Sequence, residues 1–197
     1  MPLKLKTPAS VLPVSLQEAK LHCRVIADTA DMSPHPDDEL IEAYIVAATQ
    51  DAEHLMGRAV MPQKWLLTLD GFAPEIALQR PPVTAIDLIE YFDGASGGLL
   101  TLPADAYQLL SGSDYTAAVV PAYGQQWPTT RVQPEAVRIT FSCGYGDGGG
   151  VPELIKAWIK LRIGSLYANR EAWTVGQPIE RNEHVDFLLD RYRVWQL

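Results

Sequence analysis

The chain has 197 residues, 47% hydrophobic and 20% charged, which is enough to bury a sizeable core in one large domain or two small ones without disulfide or metal staples. A net charge of -8 excludes a surface built to grip nucleic acid, because that binding relies on Lys and Arg displacing counterions from phosphates. The spacing of Cys23 and Cys143 suggests neither a metal site nor a disulfide framework, and the start, MPLKLKTP, lacks the apolar stretch of a signal peptide.

The first element is a short helix. Ser15 and Glu18 make an S-x-x-E capping box with Val14 in the staple position, which predicts a helix from Leu16 to about Val25. Asp28 to Pro36 reads as a loop. A second helix runs to Gly57. Asp37, Asp38 and Glu39 sit in its first turn, where the helix dipole favours them, and Ile41, Ile45, Ala48, Ala52 and Leu55 form an apolar seam. Leu40, Tyr44 and Met56 widen that seam, and Gly57 stands where a left-handed residue ends a helix.

From Trp65 the period becomes two. Trp65, Leu67 and Leu69 point one way, with Lys64, Thr68 and Asp70 opposite. Short strands follow at Ile76–Leu78, at Ile86–Leu88 and Ile89–Tyr91 with a bulge near Leu88, and at Leu100–Leu102, Tyr107–Leu109, Val119 and Val137–Phe141. Asp93-Gly94 and Gly97-Gly98 mark a turn. A small antiparallel sandwich or barrel is expected. The glycine run from Gly144 to Gly150 is a hinge into Pro152. Helix-period segments then return over 152–171, with apolar residues almost all round, and over 183–194, where Val185, Leu188, Leu189 and Tyr192 share a face.

The expected fold class is therefore α+β: about four helices forming a core from 1–60 and 151–197, interrupted by an antiparallel β-rich insertion over 61–150. No stretch is long and apolar enough to span a bilayer, so a soluble protein made in the cytoplasm is expected.

Chemistry-bearing constellations are absent. The glycine hinge lacks the Lys-Ser/Thr ending of a P-loop and the G-x-G-x-x-G spacing of a dinucleotide site. Three adjacent helical carboxylates at Asp37, Asp38 and Glu39 diverge, so a solvated helix start is the expectation rather than a cation site. His22, His35, His54 and His184 have no His or Cys partner at i, i+4, and Cys143 has no base beside it. No catalytic residue, metal site or cofactor is implied, and the protein is expected not to be an enzyme.

Two surfaces stand out instead. Tyr123 and Trp127 lie in a loop that would suit a carbohydrate- or host-binding module. The closing segment, from Arg191 to Leu197, is rich in Arg, Tyr and Trp, the residues enriched at interface hot spots. It also lies in the part of the chain that is about neutral: residues 151–197 carry 7 basic and 6 acidic side chains, against 5 and 9 over 1–60. A tail folded back on its own domain is an equal alternative. Scattered carboxylates acting as an acid-base hydrolase form a third reading.

Ordered pieces along nearly the whole chain resemble the head-tail connector, or adaptor, family of long-tailed phages. The likeness is to the branch with a β-domain inserted in the helical core, including the adaptors of gene transfer agents. The pieces are Pro13-Val14-Ser15-Leu16 with Glu18-Ala19-Lys20, Asp38-Glu39-Leu40-Ile41, Glu53, Gly57-Arg58, Gln63-Lys64-Trp65 and Arg80-Pro81-Pro82. They continue with Pro121-Ala122-Tyr123-Gly124, Trp127-Pro128, Gly144-Tyr145-Gly146, Val151-Pro152, Tyr167-Ala168-Asn169-Arg170-Glu171 and Tyr192-Arg193. The Asp28–Pro36 loop is longer than the family pattern, and the run Gly148 to Gly150 is an embellishment on it.

The resemblance implies a structural ring beneath the portal of a phage or phage-like particle, joining the DNA-filled head to the neck and tail. The implied partners are the portal protein, a neck stopper or tail-completion protein, and other copies of the chain. A portal template would impose a ring of about twelve, with head-to-tail contacts. Double-stranded DNA would pass through without specific binding, and no membrane is involved. The family habit of docking through the C-terminal region makes Phe187, Arg191, Tyr192, Arg193, Val194, Trp195 and Leu197 the candidate portal-docking residues.

Overall fold

Residues 2–146, 150–169 and 183–194 are described by a computed structural model, in which helices and antiparallel sheets make a mixed α+β fold. The strands are β1 (Leu3–Thr7), β2 (Gln63–Leu69), β3 (Ile76–Leu78), β4 (Val83–Phe92), β5 (Leu99–Thr101), β6 (Tyr107–Leu110), β7 (Ala117–Pro121) and β8 (Val137–Cys143). The helices are α1 (Leu16–His22), α2 (Asp38–Met56), α3 (Glu153–Ala168) and α4 (Glu183–Asp190). The chain divides into two units: Met1–Ser10 with Pro62–Tyr145, and Val11–Met61 with Gly146–Leu197.

The first unit is all β. A five-stranded sheet has the order β1-β2-β8-β4-β5, and a three-stranded sheet has the order β3-β7-β6. Strand β8 is central because alternate residues are large and apolar: Val137, Ile139 and Phe141 are fully buried. They stand opposite Leu69, Leu67 and Trp65 on β2 and opposite Tyr91, Ile89 and Ile86 on β4. Strand β4 keeps this facing by shifting register between Ile86 and Leu88, at the bulge expected from the spacing, and again between Val83 and Ala85. The segment Ile86–Tyr91 is therefore one bulged strand rather than two short ones.

Strand β1 was not foreseen. The residues 1–10, expected to go with the helices, belong to the β unit because Leu3, Lys4 and Leu5 pair with Leu67, Leu66 and Trp65. Lys4 and Lys6 explain the miss, since alternating lysines read as polar. At a sheet edge they have a physical use, because charge discourages a further strand from pairing there.

The second unit is helical, with α3 packed against each of the other three helices. From α2 come the buried Ile41, Ile45, Ala48, Ala52 and Met56, and from α3 come Ile155, Trp158, Ile159 and Ile163. The seam on α2 is the expected one, except that Met56 is buried and Leu55 only half-buried. Helix α3 is not buried all round, since Leu161 is exposed. Ser15 accepts from the Glu18 amide while the Glu18 carboxylate accepts from the Ser15 amide, so the capping box forms as read. Gly57 ends α2 at φ +69°, where an L side chain would be strained.

The Asp28–Pro36 loop is held by one buried cation. Lys20 is 1% exposed; its Nζ donates to the Ser33 carbonyl at 3.0 Å and pairs with the Asp38 carboxylate at 2.9 Å. The other Asp38 oxygen accepts from the His35 amide at 2.9 Å, and Asp37 accepts from the Tyr167 hydroxyl at 2.7 Å. The expected solvated helix start is thus only partly solvated: of the three carboxylates Glu39 faces water, while Asp37 and Asp38 tie α2 to α3 and α1.

Candidate docking surface

Helix α4 buries Leu189 fully and ends at Asp190, and the chain turns at Arg191 and Tyr192 rather than staying helical to Val194. The Tyr192 amide donates to Leu189 and the Arg193 amide to Asp190, closing that turn. Asp186, one turn earlier, accepts from the Trp158 indole at 3.2 Å and fixes α4 against α3.

Beyond the turn the backbone is fastened to the end of α2. The Val194 amide donates to the Met56 carbonyl at 2.8 Å, supplying one of the last helical carbonyls with a partner. Arg58, fully buried, donates from Nε to the Tyr192 carbonyl. The same end of α2 is tightened by Glu53, whose carboxylate accepts from the Val60 amide at 2.7 Å and whose carbonyl accepts from the Arg58 amide.

The side chains of the segment behave differently from its backbone. Phe187 is 62% exposed and Arg191 is exposed, with the Arg191 guanidinium 5.4 Å from the Tyr192 ring centre. Arg193 pairs with Asp190 at 3.1 Å, and Tyr192, Arg193 and Val194 are half-buried. The candidates Trp195 and Leu197 lie outside the described residues. Five of the seven residues picked from sequence are therefore placed on one short stretch, with the backbone of Tyr192 and Val194 turned to the unit itself. The role of Arg58 was not read from the sequence. An Arg after a helix-ending glycine carries no separate signal for burial.

The loop reading of Tyr123 and Trp127 separates them. Tyr123 is fully exposed. Trp127 is half-buried and lies flat on Phe72, with centroids 4.6 Å apart and planes 6° apart, and Phe72 meets the edge of Tyr91. One face of the Trp127 ring is thus used within its own unit.

Titration is perturbed mainly in the helical unit. Hydrogen bonds from Lys20 and the His35 amide hold the Asp38 carboxyl below its ordinary range. The Ser33 amide does so for Asp31, and the Ser15 amide for Glu18. Burial, aided by Lys160, pushes His22 down, and burial pushes Cys23 up. In the β unit Asp93 is lowered by the Ser96 amide. The carboxylate shifts come from turn and cap hydrogen bonds and from the Lys20 pair, and those of His22 and Cys23 from burial. Among the described residues, no group of three or more His, Cys, Asp or Glu is placed to hold a metal ion, and no helix is long and apolar enough to cross a membrane.

No protein-family model matches the chain, and no curated protein sequence matches it. Its fold does match solved structures along the full length. A chain from the neck of an empty gene transfer agent (GTA) particle, computed with C6 symmetry, is similar at a TM-score of 0.79 and 20% identity, covering 100% of this chain and 97% of that one. A chain from the virion of a native GTA particle is similar at 0.76 and 21% identity, and one from the native neck computed with C12 symmetry at 0.70 and 18%, each with the same coverage.

Proposed function

We propose that this chain is a structural, non-enzymatic head-tail connector of a phage or phage-like particle. It would form a ring beneath the portal and join the DNA-filled head to the neck and tail. The observation that carries the proposal is the full-length likeness to neck chains of GTA particles, with both the helical unit and the β unit included. The C12 and C6 symmetries of those necks favour a ring of about twelve copies over a closed dimer. The helical unit builds the ring and meets the portal through the segment from Phe187 to Val194, where an aromatic ring and an arginine face outward. The remaining partners are a neck stopper or tail-completion protein and passing double-stranded DNA. The acidic balance of the chain suits passage, because few cations stand ready to displace counterions.

The test is reconstitution. Purified protein mixed with portal rings is expected to form a stacked ring on one face of the portal, seen by electron microscopy. A chain that stays free at micromolar concentrations of both would speak against the portal as partner.

A further inference from the structure

We propose that Arg58 is a positioning residue for the C-terminal docking segment, so that the segment is a fastened strap rather than a free arm. The inference rests on the docking role proposed for Phe187 to Val194. A free arm would have solvated backbone groups. Here the strap closes at two points on the far end of α2: the Tyr192 carbonyl accepts from Arg58 Nε, and the Val194 amide donates to the Met56 carbonyl.

Arg58 suits this task for physical reasons. Its guanidinium is completely buried, so its donors are shielded from competing water, and a charge-assisted bond to a carbonyl is stronger there than at the surface. It follows Gly57, whose left-handed turn takes the chain off the helix and lays it beneath the strap, with Val194 3.7 Å from where a Gly57 Cβ would stand. With the backbone held inward at Tyr192 and Val194, Arg191 beside it and Phe187 on α4 stay exposed. Binding energy is then not lost in ordering those side chains at the moment of docking.

The experiment uses the full chain, with amide exchange and portal-ring binding read together. In Arg58→Met the Val194 amide is expected to exchange at least about tenfold faster, while the Ile41 and Ile45 amides of α2 stay protected. Affinity for portal rings is expected to fall by about tenfold as the segment loses its order. If Arg58→Met does not fold, Arg58→Lys is read in the same way, since a point-like ammonium lacks the planar fork. Unchanged Val194 exchange would overturn the strap. Fast exchange with unchanged portal affinity would overturn the positioning role. A wild-type chain that does not bind portal rings at all would instead overturn the docking reading, and Val194 exchange would still decide the strap.

Discussion

In the β unit the fully buried side chains of the central strand are hydrocarbon: Val137, Ile139 and Phe141. Among the described residues of the helical unit the two largest fully buried side chains are cations, Arg58 and Lys20. The difference follows from what each unit has to hold. A sheet satisfies its own backbone through ladders, so its interior needs only to exclude water. The helices have a long loop and a terminal strap to fix, and both present carbonyls that need donors. One long cation serves each: Lys20 reaches Ser33 in the loop, and Arg58 reaches Tyr192 in the strap.

The contrast breaks most visibly in the β unit. Ile139→Ala removes a side chain packed between β2 and β4, and is expected to destabilise that unit by about 3 kcal/mol, as large-to-small changes in closed cores do. Denaturant unfolding followed by exchange should place the loss in β2, β4 and β8, with the α2 amides unaffected. Arg58→Met is expected to destabilise the helical unit by about 2 kcal/mol, the scale of a hydrogen bond to a charged group. Its effect should centre on the end of α2 and the strap. Gly57→Ala is expected to act at the same place by about 1 kcal/mol, through backbone strain alone, because the added Cβ would meet Val194 only at ordinary contact distance.

Acid gives the smallest effect per group and separates the units by where the lowered groups lie. Asp38, Asp31 and Glu18 have folded pKa values below their unfolded ones. Their contribution is complete above the ordinary carboxylate values of 3.8 and 4.5 and is lost as pH falls through the lower folded values. His22, also lowered, is favoured neutral, so its contribution starts to fall earlier, as pH drops through 6.5. In the β unit Asp93 has such a shift. On acidification, exchange protection should therefore fail first in α1 and α2. Simultaneous loss in both units would mean that the contrast does not extend to charge.

How much of this was legible depended on whether the signal was local. The Ser15 capping box, the Gly57 stop and the β4 bulge each lie within a few residues, and the α2 seam repeats a local period; all match the structure apart from the exchange of Leu55 for Met56 at the end of the seam. Strand β1 was missed because its partner lies some sixty positions away and its lysines hide the alternation. The end of α4 was misplaced because Tyr192 continues the helical spacing, while the fastening to Met56 and Arg58 comes from far along the chain. Trp127 looked available for the same reason, since only the fold brings Phe72 beneath it. In the closing segment, composition singled out the Arg- and Tyr-rich stretch as a candidate, and only the packing distinguished its inward backbone at Tyr192 and Val194 from the exposed side chains of Phe187 and Arg191.

The most direct test of a neck role is electron microscopy of particles from a strain lacking this gene. A connector predicts DNA-filled or leaking heads beside separate, complete tails. Intact tailed particles that merely fail to attach to cells would contradict it.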